Sequence, residues 1–246
     1  MPSPPEAPSQ RLGLGEALVL LITSPRLLFR KLGHIPESWP LALFLVGGPL
    51  ILIAVLGHPY YQRMLAQMDQ LYLSSHPTQL RMLPVTVANS VFATLLNLLV
   101  SWLVVALGLY LAALLLRQPV RFAHLFAVVA FASFPVVFRQ LALVSSWATL
   151  GFEVKSFNDF LVLTRAPIPF MNLGFLAPVG SPGWALLTLA DPFTLASAWL
   201  VKIGLEETAG LSGKWSLWVV LAGTIILATL VLLAWLSLPQ PIQAGN

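Results

Sequence analysis

The chain has 246 residues, of which 58% are hydrophobic and 9% are charged. Soluble domains carry about 25% charged residues, so this composition excludes a water-soluble globular fold and indicates a single domain whose surface faces lipid. The absence of cysteine excludes disulfides and thiolate metal sites, and the net charge of +4 comes from scattered residues that resemble the cations flanking membrane spans rather than a nucleic-acid-binding surface.

The N-terminal part of the chain predicts a tail and a surface helix. Residues 1–11 are rich in proline and predict a disordered tail. Residues 12–40 mix apolar residues with cations and predict an amphipathic interfacial segment. Ser24 can cap a helix that Pro25 opens, so we expect a broken helix with its basic side toward lipid phosphates. A cytosolic helix packed on the bundle is the alternative.

The rest of the chain predicts an all-α fold, a polytopic transmembrane helix bundle over residues 41–238 with a short tail at 239–246. A span needs about 20 apolar residues to cross a hydrocarbon core about 30 Å thick. Stretches that meet this need predict five spans, at about 41–57, 89–116, 122–138, 184–205 and 217–238.

Two local features shape the first three spans. The first span contains Gly-Gly-Pro at 47–49, which predicts a kinked helix. We expect this span to end at Gly57, before an extramembrane connection that starts at His58-Pro59 and can hold a separate short helix at 60–72. Arg117 and Arg121 bracket a turn so short that the second and third spans must form an antiparallel hairpin.

Charged and helix-breaking residues interrupt the second half of the chain. Arg139 follows the third span and can reach the headgroups from the membrane boundary. The Pro- and Gly-rich residues 145–182 predict a long connection with surface-lying pieces. Asp191 lies inside the fourth span and should cap a helix that begins at Pro192, which gives two half-helices or a short span with a lead-in.

The distribution of cations predicts the orientation of the chain. Lys and Arg residues accumulate in cytoplasmic loops, so the side with more of them faces the cytoplasm. With the N-terminus inside, the inner side carries Arg11, Arg26, Arg30, Lys31, Arg117, Arg121, Lys202 and Lys214, and the outer side carries Arg63, Arg81, Lys155 and Arg165. This bias predicts a cytoplasmic N-terminus and a C-terminus outside.

Several short segments resemble the Yip family (Ypt/Rab-interacting protein domain), whose members are five-helix integral membrane proteins. The resemblance covers about residues 14–238 and is carried by the segments Ser24–Arg30, Arg117–Phe122, Ser133–Pro135, Asp191–Phe193 and Gly204–Ser212. The positions that it marks as family-motif or structural candidates are Pro25, Phe29, Arg30, Arg121, Pro135, Asp191, Pro192 and Phe193.

The resemblance implies a membrane protein without catalysis, and for eukaryotic members it implies vesicle traffic, Rab GTPase contact or membrane shaping. This chain departs from that pattern in two ways. The insertion at 145–182 is long, and the cytoplasmic N-terminal region is short. Both departures argue against Rab binding and favour a bacterial relative in the cytoplasmic (inner) membrane.

No pattern for catalysis is found in the sequence. The four histidines lack metal-ligand spacing, and neither a serine-hydrolase elbow nor a Walker-type phosphate loop is present. We therefore predict that the protein is not an enzyme and has no catalytic residue, cofactor, metal or nucleotide site. Asp191 could mark an ion path, but a helix cap is the simpler interpretation.

Five other polar residues have two interpretations each. Asn89, Asn97 and Ser101 lie on one helix and could line a transport path, but residues of this kind more often form interhelical hydrogen bonds. Glu206 and Glu207 read as solvated loop charges, although they could pair with Lys202 or with Lys214.

The sequence thus favours a non-catalytic, Yip-like membrane protein that acts as a scaffold for lipids and partner membrane proteins. A small transporter or permease subunit with Asp191 in its site is one alternative. An accessory subunit of a larger membrane complex is another.

Overall fold

The computed structural model describes residues 12–35, 38–75, 86–150, 153–165, 172–188 and 190–237. All regular elements among these residues are helical, so the predicted all-α fold is confirmed. In chain order the α-helices are α1 (Leu14–Thr23), α2 (Pro25–Leu32), α3 (Trp39–Ala42), α4 (Gly48–Ser75), α5 (Val87–Leu115), α6 (Phe122–Ala132), α7 (Pro135–Leu150), α8 (Phe157–Arg165), α9 (Pro182–Leu187), α10 (Pro192–Ala209) and α11 (Gly213–Ser237). The predicted tails at 1–11 and 239–246 lie outside the described residues.

The N-terminal segment folds as two helices that are broken at Ser24, as predicted, although the side chain of Ser24 makes no capping hydrogen bond to α2. Pro25 is the first residue of α2, a position where its missing N–H costs no intrahelical bond. Phe29 is fully buried, and α2 packs on α10 and α6. For α2, the structure therefore agrees with the alternative prediction of a helix packed on the bundle. The preceding helix α1 differs, since Val19 is 58% and Ile22 is 65% exposed.

The first span begins at Trp39 and contains an irregular turn where the sequence predicts a kink. Residues Leu43–Gly47 form a π-helical turn directly before Gly48 and Pro49. Pro49 has no N–H to donate to the preceding turn, and its ring would clash with the backbone of a regular α-helix. A wider turn at this point accommodates the ring.

The prediction that the first span ends before Pro59 and that a separate helix follows at 60–72 is wrong. The helix α4 continues unbroken through Pro59. A proline inside a helix removes one hydrogen bond and strains the preceding turn, but packing beyond it compensates. Met64 and Met68 are buried in a cluster with Trp147 of α7. Tertiary contacts therefore hold the helix past a residue that usually ends one.

The helices α5 and α6 are joined by the turn at 116–121 and form the predicted hairpin. The third span is longer than predicted, because α7 begins at Pro135 and continues beyond the expected end at 138. Proline is well tolerated at a first helical position, so it restarts the helix here. The indole Nε1–H of Trp102 on α5 donates to Ser133 Oγ at 2.8 Å, which holds the break between α6 and α7 against α5.

The fourth span has the predicted interruption. The short helix α9 forms the lead-in, and α10 starts at Pro192 directly after Asp191. α10 ends at Ala209, directly before Gly210, whose φ of +65° lies in the left-handed region that glycine adopts without a Cβ penalty. Between α7 and α9 the described residues hold α8 and a 3-10 turn at Leu173–Leu176, which agrees with a connection made of short pieces.

By length and composition, three stretches of the described residues could cross a bilayer: Trp39–Leu71, Val87–Leu115 and Phe122–Thr149. The helices α10 and α11 occupy the other two predicted spans, so the five-span layout remains a prediction. Large apolar side chains are exposed on the outside of the bundle, among them Phe44 at 69% and Ile225 at 66%. A surface of this kind suits contact with lipid rather than with water.

The helices α6 and α10 approach each other so closely that only glycine fits between them. A Cβ atom on Gly204 would lie 2.4 Å from Cγ1 of Val128, which is fully buried on α6. Lipid tails are as apolar as the side chains, so membrane helices associate largely through such close van der Waals contact. Gly204 therefore sets the distance between α6 and α10.

Replacing Gly204 with alanine should destabilise the protein by about 1–3 kcal/mol, because one of the two helices must move. Thermal unfolding in detergent measures this loss. Gly15→Ala is the matched control, since a Cβ there meets no atom within 4 Å and alanine favours a helix. Adding Val128→Ala to Gly204→Ala should restore part of the lost stability. Equal melting temperatures for the two glycine variants would contradict the close contact.

Candidate functional site: ion-pair clusters at the two ends of α10

The structure brings together two segments that lie far apart in the sequence, Ser24–Arg30 and Gly204–Ser212. The first forms the start of α2, which packs along α10, and the second contains the end of α10. The charged and polar side chains that meet there are called the inner cluster, and they are Arg26, Arg30, Lys202, Glu206, Glu207 and Ser216.

The carboxylate of Glu207 forms ion pairs with both arginines of α2. Its carboxylate lies 3.1 Å from Arg30 Nη2 and 3.4 Å from Arg26 Nη1. The carboxylate side chain is 12% exposed, whereas the side chains of Arg26 and Arg30 are 61% and 64% exposed. The acid is therefore covered by the bundle, and the guanidinium groups reach outward over it.

Glu206 connects three helices. Lys202, one turn earlier on α10, lies 2.5 Å from its carboxylate, Arg26 of α2 lies 3.4 Å away, and the buried hydroxyl of Ser216 on α11 donates to it at 3.0 Å. Burial alone would raise the pKa of Glu206, but the bonds from Lys202 and Ser216 and the charges of Lys202 and Arg26 outweigh it. The pKa is held below its ordinary value, so the group stays ionised.

The interpretation of Glu206 and Glu207 as solvated loop charges is therefore wrong, although the pairing of Glu206 with Lys202 is confirmed. Both glutamates lie in the last turn of α10 and are largely covered. The sequence alone does not reveal this, since the arginines of α2 lie about 180 positions away.

A second ion pair ties α1 to α2. The ammonium group of Lys31 donates to the carboxylate of Glu16. This hydrogen bond and the positive charge of Lys31 lower the pKa of Glu16. The fully buried Ala17 on α1 lies in the same hydrophobic core as Phe29 on α2. The two helices are thus joined to each other as well as to the bundle.

A cleft of about 560 Å³ opens beside the inner cluster, where the break between α1 and α2 faces α10. Its walls combine polar and apolar groups, including Thr23, Ser24, Arg26, Leu27, Arg30 and Trp199. Lys202 Nζ lies 5.1 Å from the ring centroid of Trp199, within the range of a cation–π contact. The cleft therefore has a cationic rim beside an aromatic wall.

Asp191 organises the other end of α10. Its Oδ1 accepts the backbone N–H groups of Phe193 at 2.8 Å and Thr194 at 2.9 Å, and its Oδ2 accepts the hydroxyl of Thr194 at 2.9 Å. Arg139 Nε of α7 lies 3.5 Å from Oδ2, and Asp191 is 4% exposed. The predicted helix cap is confirmed. Arg139, expected at the headgroups, turns to this carboxylate instead.

The other predicted candidates begin helices or lie in the core. Pro25, Pro135 and Pro192 are first helical residues, and Phe29 is fully buried. Arg121 caps the start of α6 through its backbone and is exposed, away from both clusters. Of the predicted candidates, Arg30 belongs to the inner cluster, and Asp191, Pro192 and Phe193 form the cap of α10. The remaining candidates belong to neither site.

Two further expectations concern interhelical bonds and metals. Asn97 and Ser101 are exposed on α5, and neither side chain bonds to another described residue, so the predicted interhelical hydrogen bonds do not form within the described part of the chain. Over the same residues, no group of three or more His, Cys, Asp or Glu side chains is arranged to hold a metal ion.

Replacing Glu207 with glutamine should lower stability by about 1 kcal/mol, because Arg26 and Arg30 lose a charged partner that is mostly shielded from water. Thermal unfolding in detergent at low ionic strength measures the effect. Glu153→Gln is the control, since Glu153 pairs with Lys155 where both side chains are 71% exposed. That substitution should change stability by less than about 0.5 kcal/mol. Equal losses in the two variants would refute the role of the inner cluster in attaching α2.

Two substitutions of Asp191 separate its capping from its charge. Alanine removes both and should cost about 2 kcal/mol or more, whereas asparagine keeps a capping oxygen and should cost less. Melting temperatures in detergent give the order of the two losses. A melting temperature for Asp191→Ala equal to that of the natural chain would show that the cap does not stabilise α10.

A comparison with known protein families gives a match over most of the chain. The sequence profile of the Yip1 domain matches residues 19–236, a range that includes the inner cluster, the cap at Asp191 and every candidate position from Pro25 to Phe193. None of the curated proteins or solved structures compared with the chain matches it significantly. Because the profile covers most of the chain, the resemblance is confirmed. The chain is an integral membrane protein that belongs to the Yip family.

Proposed function

We propose that this protein is a non-catalytic organiser of the membrane, which gathers anionic lipids and partner membrane proteins at one end of its helix bundle. The inner cluster is the observation that carries this proposal. It attaches α2 to α10 and α11 through covered glutamates and leaves Arg26 and Arg30 more than half exposed. Three cations there meet two carboxylates, so the cluster keeps an excess positive charge.

The proposed membrane is the cytoplasmic membrane of a bacterium, with the N-terminus inside and the C-terminus outside. The long insertion at 145–182, which departs from the family pattern, supports the bacterial assignment. The excess of Lys and Arg on the side of α1 and α2 supports the orientation. In this orientation the inner cluster faces the anionic cytoplasmic leaflet, whose surface potential attracts cations.

The surface around the inner cluster suits a membrane interface. On α1, Val19 and Ile22 expose apolar side chains close in sequence to the exposed Arg26. Trp199, which lines the cleft, is 58% exposed, and tryptophan favours the headgroup level. On such a surface the apolar side chains can contact the acyl chains of lipids while the exposed guanidinium groups bind their phosphates.

The partners of the acidic groups support a structural role rather than an acid–base or transport role. Glu206 and Glu207 are held by cations and a hydroxyl, and Asp191 is held by backbone donors and Arg139. Carboxylate oxygens that are already held by donors within the chain leave little room for a transported ion to bind. A transport path through Asp191 therefore gains no support.

Replacing both Arg26 and Arg30 with glutamine should weaken the binding of phosphatidylglycerol by about tenfold or more, at about 1 kcal/mol per cation near an anionic surface. Native mass spectrometry of the purified full-length protein, titrated with phosphatidylglycerol or phosphatidylcholine, measures the two affinities. The variant should lose the preference for the anionic lipid and keep the weak binding of the zwitterionic one.

Two control variants accompany this experiment. Arg26→Lys with Arg30→Lys keeps both charges and should retain most of the preference. Arg63→Gln removes an exposed cation from α4, on the predicted outer side, and should leave the preference unchanged. Loss of the preference in Arg63→Gln, or its survival in the double glutamine variant, would refute a lipid role for the inner cluster.

A further inference from the structure

A polar stripe runs along the outer surface of α5. Asn89, Ala93, Asn97 and Ser101 follow one another at intervals of four residues, which places them on one face of the helix, and all four are exposed. The side chains of Asn97 and Ser101 form no hydrogen bond with another described residue. The polar stripe is thus directed away from the packed interior.

The unpartnered groups of the polar stripe lie deep in the span. The helix α5 has 29 residues without a charged side chain. Asn97 lies ten residues beyond Val87 and Ser101 fourteen before Leu115, so both are about 15 Å or more from either end of the helix. A carboxamide at this depth meets hydrocarbon, which offers no hydrogen-bond partner.

Two described contacts from neighbouring helices bracket this side of α5. Toward the inner end, Leu227 of α11 lies over Gly108, at 3.3 Å from the position of a Cβ there. Toward the outer end, His58 of α4 lies 3.1 Å from Ser90 Oγ. Between these two contacts Ser101 and Asn97 stay exposed. Among the described residues, this exposed stretch of α5 between the two contacts, called the gap, is accessible to a helix from outside the chain.

We propose that a second copy of this chain occupies the gap, with the polar stripes of two α5 helices packed face to face. A carboxamide carries both donor and acceptor groups, so Asn97 can pair with Asn97 of a second copy across a two-fold axis and satisfy both. Ala93 and Ser101 are small, which lets the two backbones approach one turn to either side of this pair. A lipid tail fits the space but leaves the carboxamide unpaired.

Disulfide cross-linking tests the proposed dimer directly, because the natural chain contains no cysteine and each variant then has a single thiol. Asn97→Cys and Ser101→Cys in membrane vesicles should form dimers several times faster on mild oxidation than two controls. The controls are Leu96→Cys and Leu103→Cys, which lie at nearly the same depths on another face of α5 and are each 50% exposed.

A second measurement tests whether the carboxamide drives association. Energy transfer between labelled copies in proteoliposomes, followed as lipid is added, gives the dimer affinity. Asn97→Leu should weaken it about three- to tenfold through loss of the interhelical hydrogen bonds, and Asn97→Gln should retain most of it. The proposal is overturned by cross-linking no faster than in the controls, by an unchanged affinity in Asn97→Leu, or by adducts to a different protein in place of dimers.

Discussion

Hydrocarbon offers no hydrogen-bond partner, and this constraint decides where the polar groups of the chain can lie. Backbone groups satisfy it by forming helices, which are the only regular elements among the described residues. Acidic side chains satisfy it by collecting several donors each. Asp191 accepts two backbone N–H groups and a hydroxyl, and Glu206 accepts a lysine and a serine. The acids of α10 therefore lie at its two ends, where donors and headgroups are within reach.

The inner cluster contributes more to the position of α2 than to overall stability. Ion pairs with exposed partners are worth about 1 kcal/mol or less, whereas burying a large apolar side chain such as that of Phe29 is worth about 1.5–3 kcal/mol. Burial thus supplies most of the attachment of α2. The arginines determine its register, since Arg26 and Arg30 lie one turn apart and both reach Glu207. A shift of α2 by one residue would separate these charges.

Signals that act within a few residues made most of the fold predictable. Proline at a first helical position marked the starts of α2 and α10, and the cap at Asp191 follows from its place directly before Pro192. The helix through Pro59 was not predictable, because buried contacts between Met64 and Trp147 decide it. The pairing of Arg26 with Glu206 was also not predictable from the sequence. A single sequence does not show which of its distant segments contact each other in the fold.

The same constraint that explains the clusters separates Asn97 from the three acids at the ends of α10. Glu206, Glu207 and Asp191 each have partners within the chain, whereas Asn97 has a carboxamide at mid-span and none among the described residues. Water at a membrane surface could satisfy such a group at a helix end, but Asn97 lies about 15 Å from the nearer end of α5. The proposed dimer supplies that partner from a second copy of the chain. Under this proposal, the rule that places the charges within one bundle also links one bundle to the next.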